Sequence, residues 1–319
     1  MIDPLLDANF LQPLLAELTV LGAGATGLGR RQLVALNGPV GAGKSTLGAL
    51  LLERARAQGL RLAVASIDDF YLPWERRRQA LAGNPFCVSR VPPGSHDVDL
   101  ALGCLADWRE GAALRLPRFD KTLRGGQGDR AGERILEVDV LLLEGWLLGC
   151  QPLGAERLEE RLEEQLRPST EPNPQMAISR NTVSRNTASR NTAARNTDSF
   201  EAGSVDALLA DERNWLPHWD RALEAYQPLW EACDQLWLLR PRSWGMPRRW
   251  RFQAEARQRR RGGAWLPPQE VDRLVRASLC SLPPALYQDP LENQARRMAV
   301  LDGRRRWLWG SQGCGSDLN

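Results

Sequence analysis

The residues best suited to chemistry in this chain are Gly38, Gly41, Ala42, Gly43, Lys44, Ser45 and Thr46, a full match to G-x-x-x-x-G-K-[ST]. Glycines at these places let the backbone wrap around phosphate oxygens, so that successive N–H groups and the positive end of a following helix face the anion. Lys44 would bridge the β- and γ-phosphates of ATP, and the Ser45 hydroxyl would ligate Mg²⁺. A chance glycine-rich turn is the alternative. It is disfavoured because an apolar run, Leu33 to Leu36, precedes the loop and a helical pattern, Ser45 to Gln58, follows it.

Two acidic segments share this placement at strand ends. Ser66-Ile67-Asp68-Asp69-Phe70-Tyr71 closes a second apolar run, Leu60 to Ile67. In an open parallel sheet that end faces the ligand crevice. Asp68 would orient or accept the proton of an attacking hydroxyl, and Asp69 would bond loop backbone or substrate; either could instead cap the next helix. A third apolar run, Val138 to Leu143, ends in Glu144-Gly145-Trp146. An acid there holds Mg²⁺ in many phosphate-binding-loop enzymes, directly or through water.

Between these segments lie Pro92-Pro93-Gly94-Ser95-His96-Asp97 and the stretch Leu116 to Arg130, which holds Arg118, Asp120, Lys121 and Arg130. Asp97 or Ser95 would either N-cap the helix bearing Leu100, Leu105 and Trp108 or touch substrate. His96 alone is more often structural than catalytic. The glycine-rich, cationic stretch reads as a mobile loop that clamps an anionic substrate, or else as a solvated basic loop. Arg240 to Arg261 holds nine arginines against one acid, Glu255, and Arg248, Arg251 and Glu255 share a helical face. This fits a lid helix whose arginines neutralise phosphate charge, or a nucleic-acid contact, which the balanced charge of the whole chain disfavours.

The elements that must hold these residues form an α/β pattern. Leu5, Leu11, Leu14, Leu15, Leu18 and Leu21 predict an amphipathic helix ended by the glycines from Gly22 to Gly29. Apolar strands, with a further one at Gln235 to Leu239, alternate with helices and predict a parallel sheet covered on both faces. The expected organisation is an N-terminal helical segment (1–29), a first core part (30–167), a disordered low-complexity insertion (168–203) and a second core part with the arginine-rich helix and a C-terminal strand and tail (204–319). The insertion carries a five-residue Ser-Arg-Asn-Thr repeat from Ser179, too poor in apolar residues to build a solenoid core.

Composition narrows the function. The 42 basic and 39 acidic residues give a net charge of +3, too balanced for a general nucleic-acid or membrane-surface binder. Only Lys44 and Lys121 are lysine and all other cations of the pair Lys/Arg are arginine, which marks both as candidates for a place that needs a compact ammonium, the alternative for Lys121 being a leftover surface lysine. Six scattered cysteines form no metal-ligand or disulfide pattern, and no apolar run reaches membrane-spanning length. The expected location is cytoplasmic, and the sequence leaves the oligomeric state open.

Taken together, the phosphate-binding loop, Asp68-Asp69-Phe70-Tyr71, Gly94-Ser95-His96-Asp97, Pro117 to Lys121, Gly128-Asp129-Arg130, Glu144-Gly145-Trp146 and Trp250 to Glu255 resemble the P-loop D-glycerate 3-kinases of plants and cyanobacteria, over about residues 30–303 without the repeat. The resemblance implies a P-loop kinase fold with a five-stranded parallel sheet flanked by helices, similar to uridine kinase, phosphoribulokinase and bacterial pantothenate kinase. It also implies that Asp68 matches the general base and Glu144 the metal-associated glutamate. The expected reaction moves the γ-phosphoryl group of MgATP to the primary hydroxyl of D-glycerate, giving 3-phosphoglycerate. Asp69, Tyr71, His96, Asp97, Arg118, Asp120, Lys121 and Arg130 are the expected substrate side, and Arg248 and Arg251 the ATP side. The rivals are a nucleoside, pantothenate or ribulose-phosphate kinase, and a nucleotide-dependent scaffold without small-molecule turnover.

Overall fold

A computed structural model of the chain describes residues 2–26, 30–166 and 207–312. The repeat insertion therefore lies outside the described residues. The central sheet holds strands β1 (Gln32–Asn37), β2 (Leu62–Ser66), β5 (Val140–Gly145), β6 (Gln235–Pro241), β7 (Arg297–Leu301) and β8 (Trp307–Gln312), in the order β2-β5-β1-β6-β7-β8. The first five in that order run parallel, as the sequence predicts, and β8 adds an antiparallel edge against β7.

Alternation along β1 shows why the sheet is covered twice. Leu33 and Ala35 enter the core on one face, packed with Trp108, Leu143 and Trp219. Val34 and Leu36 enter the core on the other, with Leu47 and Leu51 of the helix Lys44–Ala57 and Leu11, Leu14 and Leu18 of the N-terminal helix. Phe10 meets Trp237 edge to face at 5.3 Å, which locks that helix to β6.

Two sequence expectations need correction. The N-terminal helix, Gln12–Thr26 after a π-helical turn at Asp7–Leu11, runs through Gly22 and Gly24 to Thr26, inside the glycine-rich stretch expected to end it. Leu5 is 58% exposed and not part of its buried face, whereas Phe10 is wholly buried. Packing against Leu60 and Val140 leaves no space for a side chain at Gly22, so tertiary contact outweighs the low helix propensity of glycine. The Leu116 to Arg130 stretch is not a mobile loop. It belongs to an antiparallel hairpin of β3 (Leu114–Asp120) and β4 (Asp129–Leu136), whose turn carries the glycines.

Among the described residues no helix is long and apolar enough to cross a membrane.

Candidate active site

The phosphate-binding loop leaves β1 at Asn37, a buried amide that fastens the strand end from below. Its Nδ2 donates to the Trp146 and Leu148 carbonyls at 3.1 and 2.7 Å, and its Oδ1 accepts from Arg240 at 3.0 Å. Gly38 N–H donates to the Gly145 carbonyl at 3.0 Å, so loop and acidic strand end move as one. Gly41 and Gly43 hold φ of 76° and 100°, a region closed to most side chains. A Cβ on Gly41 would also stand 2.8 Å from Trp250, because the arginine-rich helix Met246–Arg260 packs flush on the loop.

Lys44 opens the helix Lys44–Ala57, and its ammonium donates to the Gly38 and Pro39 carbonyls at 2.8 and 3.1 Å. Glu144 lies 3.8 Å from it and also accepts from the Ser45 hydroxyl at 2.8 Å. Burial lowers the Lys44 pKa, opposed by the charges of Glu144 and Asp68. Ala42 is buried under the loop, while Thr46 is exposed. The Ser45 hydroxyl and the Glu144 carboxylate form an oxygen pair suited to Mg²⁺, which keeps several waters and phosphate oxygens in its shell and needs few protein ligands.

Register brings the second acid alongside. Ser66 of β2 pairs with Glu144 of β5, so Asp68 emerges two residues beyond the same edge. Its carboxylate accepts from the Lys121 ammonium at 2.7 Å, delivered by the hairpin turn. Burial would raise the Asp68 pKa, but the charge and hydrogen bond of Lys121, with smaller help from His96 and Tyr71, hold the carboxyl far below its ordinary range. Asp68 is thus an anion throughout the physiological range. The Tyr71 hydroxyl approaches it, and the Tyr71 ring stacks on His96 with centroids 4.4 Å apart.

Several other expected site residues have structural partners. Asp69 accepts from Ser66 N–H at 3.3 Å and Phe119 N–H at 3.5 Å, capping the turn Ile67–Phe70 and tying it to β3; burial raises its pKa. Asp97 N-caps the helix Val98–Arg109 through Leu100 N–H at 3.2 Å and also pairs with Arg130 at 2.7 Å. Arg130 further donates to the Tyr71 carbonyl at 3.0 Å, and Asp120 accepts from Thr122 N–H at 2.8 Å inside the hairpin turn. Arg118 is exposed. On the arginine-rich helix, Arg248 pairs with Asp272 at 2.6 Å and Arg251 with Glu255 at 2.5 Å; Arg251 still lies near enough to Lys44 to depress its pKa.

Three residues around the site escaped the sequence reading. Arg77 is fully buried and fixes the hairpin turn. Tyr226 reaches His96. Arg305, following β7, donates to the Gly41 carbonyl at 2.5 Å and the Trp250 carbonyl at 2.8 Å, joining the loop to the arginine-rich helix. The signal for Arg305 was present as Arg304-Arg305-Arg306 beside a predicted C-terminal strand, but it gave no hint of which arginine turns inward.

His96 carries a stability prediction. Burial, opposed by the Asp68 charge and aided by Arg77, pushes its pKa down from 6.5 to about 4. The unfolded chain therefore binds a proton between these values that the folded chain refuses. Stability from the neutral ring is complete above pH 6.5 and is lost as pH falls toward 4, by about 3 kcal/mol. Urea unfolding across that window should show a shallower decline in a His96→Gln variant than in the parent chain.

A phosphate-binding loop between β1 and its helix, in a sheet with five parallel strands flanked by helices and with carboxylates at neighbouring strand ends, defines the class: this is a P-loop kinase fold. No family model matches the chain. It is 26% identical over 287 residues to the chloroplastic D-glycerate 3-kinase of Arabidopsis thaliana, a match covering 85% of this chain and 52% of that one. It is 34% identical over 133 residues to the probable ATP-dependent kinase TDA10 of Saccharomyces cerevisiae, covering 37% of this chain and 46% of that one. The chain spans about half the length of the curated relatives it matches. Among solved structures, the D-glycerate 3-kinase from Cryptococcus neoformans shares the fold with a TM-score of 0.72 at 22% identity, over 95% of this chain and 98% of that one. The chain is thus similar in sequence to one D-glycerate 3-kinase and in fold to another.

Proposed function

We propose that this chain is an ATP-dependent kinase that phosphorylates a small hydroxy acid, D-glycerate, at its primary hydroxyl to give 3-phosphoglycerate. One observation carries the reading: Lys44, Glu144, Asp68 and Lys121, from separate elements, form a single electrostatically coupled cluster at the mouth of the phosphate-binding loop. The sequence similarity to a D-glycerate 3-kinase supports the choice of acceptor.

Each residue's part follows from its place. Loop amides from Gly38 to Thr46 and the Lys44 ammonium would hold the phosphates of ATP. Ser45 and Glu144 would hold Mg²⁺, which when bound neutralises charge on the phosphate oxygens. Asp68 would orient the acceptor hydroxyl and take its proton as the oxygen bonds to phosphorus. Lys121 makes Asp68 a weak base. That suits a loose transition state, in which positioning and charge matter more than base strength. Of the cations proposed for the acid's carboxylate, Arg130 is tied to Asp97 and Lys121 to Asp68, which leaves Arg118 exposed for it and Lys121 to be shared. Arg251, beside Lys44, is proposed on the ATP side, with Arg248 further out on the same helix.

The test is ADP release with a panel of D-glycerate, L-glycerate, pantothenate, uridine and ribulose 5-phosphate, with the phosphorylated carbon located by phosphorus NMR. D-Glycerate should stimulate release most and yield the 3-phosphate. Stimulation by uridine alone, or by no acceptor, overturns the proposal; the second result would favour a nucleotide-dependent scaffold. In the same assay, Lys44→Ala should lower kcat/KM by about 10²–10³, the size of one preorganised electrostatic donor.

A further inference from the structure

His96 stands in a hydrogen-bond arrangement that fixes which of its nitrogens carries the proton. Its Nδ1 lies 2.8 Å from the Tyr226 hydroxyl. That hydroxyl also accepts from the Gly94 N–H at 3.0 Å. The other nearby hydroxyl, Ser95, donates to the Pro92 carbonyl at 2.6 Å and sits 3.4 Å from Nδ1, so its proton is already used. A phenol has one proton to give. If Nδ1 carried the ring proton, the buried Tyr226 proton would have no acceptor and the Nε2 lone pair no donor. If Tyr226 donates to Nδ1, everything is satisfied except one group, the Nε2–H. Counting partners selects the second arrangement.

That remaining Nε2–H is buried and has no partner among the described residues, in a residue only 5% exposed. Its surroundings are those of the proposed acceptor site. The ring stacks on Tyr71, whose hydroxyl approaches Asp68, and the Asp68 charge reaches the imidazole directly. Backbone hydrogen bonds lace the two segments together, from Asp97 N–H to the Phe70 carbonyl at 2.7 Å and from Leu72 N–H to the Ser95 carbonyl at 3.0 Å. An orphaned donor held this firmly calls for an acceptor that arrives with the substrate.

We propose that His96, locked by Tyr226 as the Nε2–H tautomer, is a neutral hydrogen-bond donor to an oxygen of the acceptor hydroxy acid, and that Tyr226 is the positioning residue that sets this polarity. The inference rests on the acceptor site of the proposed function and adds to it a residue from a distant part of the chain. A neutral donor distinguishes an oxygen of the acceptor without adding a cation next to Lys121, whose charge Asp68 already balances. Asp68, Arg77, Tyr71 and Tyr226 face the ring; burial, aided by the Arg77 charge, outweighs the opposing charge of Asp68 and keeps it uncharged at neutral pH.

The chain has two histidines, so a long-range ¹⁵N–¹H spectrum of the full-length ¹⁵N-labelled protein at pH 7, with a His218→Gln variant for assignment, reads the tautomer directly. The expected pattern for His96 is a protonated Nε2 and an unprotonated Nδ1. Addition of D-glycerate with MgADP should shift the Nε2 resonance, and Tyr226→Phe should mix the tautomers and raise KM for the acceptor about tenfold, with KM for ATP unchanged. A protonated Nδ1 or an imidazolium at pH 7 overturns the inference, as does an Nε2 that ignores an acceptor the parent enzyme phosphorylates. The tautomer is read without substrate, so it stands or falls separately from the choice of D-glycerate; should the panel select another hydroxy acid, that compound takes its place in the titration.

Discussion

An Asp68→Asn enzyme is expected to lose about 10²–10⁴ in kcat, the range for a positioned proton acceptor, with ATP affinity nearly intact. The substitution keeps the size of the side chain and removes its charge and its ability to take a proton. In the parent structure the charge is secured by the Lys121 ammonium at 2.7 Å, so the neutral amide would also leave that cation without its counter-ion. Initial rates at saturating acceptor, beside a nucleotide titration by calorimetry, separate the two effects. Turnover equal to the parent's would remove Asp68 from the chemistry, and loss of ATP binding in step with kcat would make it a fold residue.

The largest expected loss of stability comes from a residue outside the reacting groups. Arg77 is 0% exposed, and its guanidinium donates to four carbonyls: Ser89 at 2.6 Å, Leu72 at 2.8 Å, Gln127 at 2.9 Å and Gly128 at 2.7 Å. Its plane also lies near the rings of Phe119, Tyr71 and Trp74. Arg77→Ala would strand these acceptors and open a cavity beneath the turn, at about 4 kcal/mol or more. Arg77→Lys would recover part of this, since an ammonium lacks the planar fork that reaches all four. Urea unfolding should show the ranking arginine, lysine, alanine. Because the turn so fixed is the one that carries Lys121 to Asp68, the lysine variant should also lose activity before it loses its fold.

These two residues mark the boundary of what was legible in the sequence. Asp68, Glu144 and Lys44 could be found because a parallel sheet delivers its strand ends to one edge, and each strand is a short apolar run closed by a polar residue. The Asp97 cap is legible too, because a carboxylate directly precedes the helical pattern that bears Leu100, Leu105 and Trp108. Arg77 was not found, since within Glu75-Arg76-Arg77-Arg78 it looks like any solvated charge. What buries it is a set of carbonyls up to about 50 positions away, and no local pattern encodes them. The β3–β4 hairpin was missed for a related reason: glycines and cations at its turn dominate the composition, while its pairing is visible only once Leu114 meets Leu136. Tyr226 shares this invisibility, because its partner lies 130 positions earlier.

The scarcity of lysine has a practical corollary. Apart from the chain's α-amine, an acylating reagent directed at primary amines meets only two side chains, and both belong to the proposed phosphoryl-transfer centre. Lys44 is 11% exposed and Lys121 is 54% exposed, so the hairpin amine would react first. The folded protein thus carries its own address for covalent labelling, and a fluorophore or cross-linker placed through it reports from beside Asp68 without any engineered cysteine.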